Sequence, residues 1–78
     1  MSKIEKELSK INNSICLYVV SEVNKTLKQG DGTDESAMQT INSSLPNATC
    51  INVRPIKVKL NDSGAVAVFN GTRFVMNG

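Results

Sequence analysis

The stretch "KVKLNDSGAVAVFNGTRFVM", residues 57–76, decides the fold. Asn70-Gly71 stands between two apolar runs. That dipeptide is the strongest short hairpin signal, because a type I′ turn needs positive φ at both central positions. A two-residue loop there pairs Phe69 with Thr72, Val68 with Arg73, Ala67 with Phe74, Val66 with Val75 and Ala65 with Met76. A turn over 61–64 pairs Leu60 with Ala65, Lys59 with Val66, Val58 with Ala67, Lys57 with Val68 and Ile56 with Phe69. Side chains alternate between the faces of a strand, which tests the register. One face collects Ile56, Val58, Leu60, Ala65, Ala67, Phe69, Thr72, Phe74 and Met76. Its middle strand offers small alanines between larger neighbours, as a close-packed layer requires.

The opposite face places Lys57, Val68 and Arg73 in one cross-strand row and Lys59, Val66 and Val75 in the next. Lysine and arginine stems can cover valines while their charged heads stay in water, which needs no partner. The sharper reading is a shallow apolar patch rimmed by cations, suited to an acidic protein surface or to nucleic acid. An RNA-binding sheet adds exposed aromatics for base stacking. Here Phe69 and Phe74 fall on the core face, which makes nucleic acid the weaker alternative. Upstream, "CINV" at 50–53 puts Ile51 and Val53 on odd positions, whereas Ile56, Val58 and Leu60 are even. The parity change at Arg54-Pro55 implies a bulge or break there.

The N-terminal third reads as helix. Ser2 followed by Glu5 fits a capping box. Ile4, Leu8, Ile11, Ile15, Tyr18 and Val19 then recur at helical spacing. Cys16, Val20, Val23 and Leu27 form a second stripe, roughly 100° round the wheel. The run "ICLYVV", residues 15–20, also has strand-like composition, so a strand is the rival reading there. As one helix over about 3–28, the segment would be about 39 Å long. That is more than strands of about 17 Å can cover. Two apolar stripes and surplus length suggest self-association through Ile11, Ile15, Tyr18 and Val19, with a dimer favoured.

"GDGTDES", residues 30–36, joins this helix to a second one over about 34–45, which has Ala37, Met38, Ile41 and Leu45 inward and stops at Pro46. Over Gly30, Gly32, Thr33, Asp34 and Glu35 it resembles the loop that opens an annexin repeat. The resemblance implies calcium held by loop carbonyls and by a carboxylate some 40 residues downstream. That region, 69–73, contains no acid, and annexin repeats are all-helical. A phosphate loop would need a Lys-Ser or Lys-Thr after the glycines. The expected role is punctuation: Gly30 or Gly32 ends one helix, and Thr33 or Asp34 caps the next.

Composition narrows the function. The 78 residues are enough for one domain, with 40% apolar and 21% charged residues, which suits a folded chain. A net charge of +2 is too small to imply nucleic acid by itself. The chain has neither histidine nor tryptophan, which removes the commonest general base and metal ligand. Cys16 and Cys50 are too few and too far apart for a zinc site and read as reduced, buried thiols. No cofactor is expected. The longest apolar run, 15–20, is far short of a membrane span, and no secretory signal stands at the start. Six Asn-x-Ser/Thr triplets then reflect an Asn- and Ser-rich chain rather than glycosylation.

The resulting expectation is an α+β domain: a long N-terminal helix, a short second helix, and a C-terminal antiparallel meander of three to four strands at about 49–53, 56–60, 65–69 and 72–76. Its function would be that of a small non-enzymatic, cytoplasmic binding protein. It would self-associate through the first helix and offer Arg54, Lys57, Lys59, Val66, Val68, Arg73 and Val75 to an acidic protein partner. Shortness, the Met start and Asn-rich composition would suit a viral or phage accessory protein, an inhibitor of a host factor working in the host cytoplasm. The alternative is a weak, salt-sensitive nucleic-acid binder using Arg54, Lys57, Lys59 and Arg73.

Overall fold

A computed structural model describes residues 2–76. The N-terminal segment is helical throughout, so the strand reading of 15–20 falls, but it is two helices rather than one. α1 spans Lys3–Ile11 and α2 spans Ser14–Lys28. The break has a local cause. Asn12 ends α1, and the Asn13 side chain accepts the Cys16 N–H at 3.0 Å, capping α2. The expected box opens α1: Ser2 Oγ accepts the Glu5 N–H at 3.1 Å and Glu5 Oε1 accepts the Ser2 N–H at 3.3 Å. The first apolar stripe is therefore split: Ile4, Leu8 and Ile11 lie on α1, whereas Ile15, Tyr18 and Val19 lie on α2 beside the second stripe. The surplus-length argument for a partner falls with the single helix, since α2 alone is only about 22 Å long.

α3 spans Asp34–Ser44 and buries Ala37 and Ile41, with Leu45 buried at its C-cap and Met38 packed beside them. The sheet follows as β1 (Ala48–Val53), β2 (Ile56–Leu60), β3 (Val66–Phe69) and β4 (Phe74–Met76), antiparallel neighbours in that order. Its inner face and the helices enclose one core, in which Val20, Ile41, Val58, Leu60, Ala67 and Phe74 are fully buried. The β2–β3 register is the expected one: Lys57 opposes Val68, Val58 opposes Ala67 and Lys59 opposes Val66.

Two features of the sheet differ from expectation. β3 and β4 pair Phe69 with Phe74, Val68 with Val75 and Ala67 with Met76, two residues away from the two-residue-loop register. The connection is a four-residue loop wrapped on one side chain: Asn70 Oδ1 accepts the Thr72 N–H and the Arg73 N–H, each at 2.9 Å. Gly71, at φ +105°, permits the path. Because the slip is by two, the same faces stay in and out. Phe69 and Phe74 become direct neighbours, their ring centroids 5.3 Å apart.

The second difference is in β1. The irregularity lies between Cys50 and Asn52, not at Arg54-Pro55, so Ala48 and Cys50 point into the core and Ile51 bulges out. Arg54-Pro55, joined by a cis peptide bond, is the two-residue turn between Val53 and Ile56.

Candidate interaction surface

The helices cover one face of the sheet; the other face is free. On it, Thr49, Lys59 and Val66 form one cross-strand row. Asn52, Lys57, Val68 and Val75 form the next, with the bulged Ile51 beside Asn52. Lys59 and Ile51 are exposed, while Lys57, Val66, Val68 and Val75 are half-buried. No strand contains an aspartate or glutamate. The face is thus cationic and aliphatic, with both lysines on the interior strand β2.

The structure does not bring every expected surface residue onto this face. Arg73 lies in the β3–β4 loop and borders a small recess beside Glu5, Ser9 and Asn12 of the α1 side. Arg54 lies in the β1–β2 turn, where its Nε donates to Asp34 Oδ1 of α3 at 2.9 Å. That pair is exposed and contributes little stability. Of the residues expected to meet a partner, those that share the face are therefore Lys57, Lys59, Val66, Val68 and Val75. Ile51, turned outward by the bulge, joins them. A bulge leaves no signature in the alternation beyond the parity change itself, which fits several positions.

The proposed oligomer surface divides in the same way. Ile11 is 1% exposed, inside the chain's own core, and does not reach the surface. Ile15 and Tyr18 are 78% and 68% exposed on α2, and Val19 is half-buried next to them. Breaking the helix at Asn12-Asn13 changes its phase, which turns Ile11 inward and Ile15 outward. Tyr18 and Val19 border an apolar groove of about 290 Å³ between α2 and α3, with Thr26, Ala37 and Thr40 along it.

"GDGTDES" is a helix stop and start. Gly30 adopts φ +79°, its N–H bonds the Leu27 carbonyl at 3.1 Å, and the Asp31 N–H bonds the Thr26 carbonyl at 3.0 Å. Thr33 then caps α3 by accepting the Ser36 N–H at 3.1 Å.

The remaining chemistry is sparse. Among the described residues no three His, Cys, Asp or Glu side chains cluster closely enough for a metal ion. Cys16 and Cys50 are free and buried, each S–H donating to a backbone carbonyl at 3.3 Å (Ser44 and Asn52). Burial pushes the Cys50 thiol above its ordinary pKa. Glu7 is buried; its Oε1 accepts the Ser63 N–H at 3.0 Å and ties α1 to the β2–β3 turn, whereas Oε2 has no partner among the described residues. No helix among the described residues is long and apolar enough to cross a membrane. Comparison with protein families, with curated proteins and with solved structures found no match. The functional reading rests on the surface itself.

Proposed function

We propose that this protein is a small non-enzymatic binding module that presents its helix-free sheet face to an acidic protein surface and self-associates through the exposed part of α2. One observation carries the reading. Lys57 and Lys59 are cross-strand neighbours of half-buried Val68 and Val66, with Val75 beside Val68, on a face whose described strands hold no carboxylate. An acidic partner with an aliphatic centre would match that face in charge and polarity. Ile15 and Tyr18, both large and exposed on one helix, support self-association into a dimer. On this reading the protein acts in the cytoplasm, as an accessory or inhibitor-type factor of viral or phage kind.

Nucleic acid is the second reading, and the geometry favours it less. Phe69 and Phe74 are buried and cannot stack on bases, while Arg54 and Arg73 lie away from the two lysines.

The test is capture of partners from native cell extract by wild type and by Lys57→Glu/Lys59→Glu. A protein retained by wild type and lost with the charge-reversed variant, whose circular dichroism is unchanged, supports the proposal. Equal retention by both overturns it. Binding of single-stranded DNA or RNA at low salt, falling steeply as salt rises, would favour the nucleic-acid reading instead. Light scattering of wild type and Ile15→Glu tests self-association, and a wild-type monomer at high micromolar concentration rules it out.

A further inference from the structure

A separate recess of about 390 Å³ opens at the end of the sheet, between the C-terminal turn of α2, the β1–β2 turn and the β3–β4 loop. Its volume falls within the range of about 300–1,000 Å³ typical of small-molecule sites. The floor is apolar: Leu27, Ile56 and Phe69 line it and are themselves buried. The rim carries Asn24, Lys28, Arg54 and Asn70, and no carboxylate lines the recess.

Most of the free rim groups are donors, the Asn24 Oδ1 being an acceptor. Asp34 holds Arg54 through Nε, which offsets part of its charge but leaves both terminal Nη groups without a hydrogen bond among the described residues. Asn70 spends its Oδ1 on its own loop, so the group it has left is the Nδ2 donor. At the helix end the carbonyls of Lys25, Thr26 and Leu27 already accept from Gln29, Asp31 and Gly30. Lys28 adds a second cation.

An apolar floor beneath a rim of two cations and amide donors selects an anion carried on an apolar body. We infer that this recess binds a small organic anion, a carboxylate or sulfonate on a flat hydrophobic ring system. The site shares no floor residue with the helix-free face, and its occupancy does not depend on the partner proposed for that face.

Titration of the ¹⁵N-labelled protein with 2-naphthoate tests it, with 2-naphthalenemethanol as the uncharged counterpart. Saturable amide shifts are expected at Asn24, Lys28, Ile56, Phe69 and Gly71, with the alcohol binding at least about tenfold more weakly. Lys28→Glu/Arg54→Glu should weaken naphthoate binding by a similar factor. Lys28→Met, which removes one charge and leaves the Arg54–Asp34 pair intact, should weaken it by a smaller one. Lys57→Glu/Lys59→Glu should leave it unchanged, which separates this site from the sheet face. Four results would each overturn the inference: no saturable shift at about 5 mM, shifts confined to the α2–α3 groove, equal affinity for the alcohol, or indifference to the Lys28 and Arg54 changes.

Discussion

Asn12 and Phe74, 62 residues apart in sequence, are joined by a reciprocal pair of hydrogen bonds. Asn12 Nδ2 donates to the Phe74 carbonyl at 3.0 Å, and Asn12 Oδ1 accepts the Phe74 N–H at 2.7 Å. A side-chain amide carries one donor and one acceptor in the same plane, as a neighbouring strand would. It therefore occupies the backbone of an edge strand that would otherwise be free. The opposite edge is treated similarly: Asn42 of α3 accepts the Cys50 N–H of β1 at 2.7 Å.

Replacing Asn12 by leucine should leave both Phe74 backbone groups unpaired at a half-buried edge. Loss of about 2 kcal/mol is expected, read as a lower urea midpoint with an unchanged slope. Asn12→Asp keeps the acceptor and loses the donor, so its loss should be smaller. If the edge matters in solution, Asn12→Leu should also aggregate faster on storage than Asn42→Ala, which frees one group rather than two.

Thr33→Ala removes the cap of α3 and should cost about 1 kcal/mol. Asp34→Ala, which loses an exposed ion pair, should cost less. Calcium should leave the melting temperature of wild type unchanged. A calcium-dependent rise that Thr33→Ala/Asp34→Ala abolishes would show that the Gly30–Gly32 loop holds a cation after all.

Glu7→Gln keeps the shape and the acceptor for the Ser63 N–H but removes charge from a carboxylate with an unpartnered buried oxygen. At neutral pH the variant should be as stable as wild type or more so, by up to about 1 kcal/mol, because a neutral amide is less costly to bury. Glu7→Ala removes the acceptor as well, and should destabilise. Urea unfolding of the three proteins at one pH decides the order.

Since burial raises the Cys50 pKa, the folded state disfavours its thiolate relative to the unfolded chain. This contribution to stability is fully present below the ordinary thiol pKa and declines as pH rises through the range between the unfolded and folded values. Unfolding curves from pH 7 upward should show stability falling on the alkaline side, and Cys50→Ala should flatten that fall. Labelling by Ellman's reagent should be slow for Cys50 in the native protein and rapid in urea.

Much of this architecture can be read from local chemistry. Ser2 with Glu5, Pro46 after Leu45, and Thr33 after Gly30 are short-range signals, and each acts as its residue type dictates. The β2–β3 register follows from a turn whose length the sequence spells out. The Asn70-Gly71 register does not, because a dipeptide suited to a two-residue loop also suits a longer one when the asparagine side chain can collect two N–H groups. Asn12-Asn13 breaks the helix, but an apolar stripe continues across it at helical spacing and hides the break. The bulge at Ile51, and with it the makeup of the outer face, depends on how Cys50 and Val53 both pack inward, a tertiary demand. The same is true of Arg54 and Arg73, whose distance from Lys57 is set by the turns they sit in.

The Asn12–Phe74 contact also bears on the order in which the molecule assembles. The β1–β2 and β2–β3 hairpins join residues close in sequence and can form early, since short loops close at little entropic cost. α1 has no such neighbour: its ties run to Ser63 and Phe74. During synthesis its tie to the edge strand cannot form until the chain has been made as far as residue 74. α1 is thus made well before it can dock, and that interval is when the nascent chain is most open to chaperones or to proteolysis.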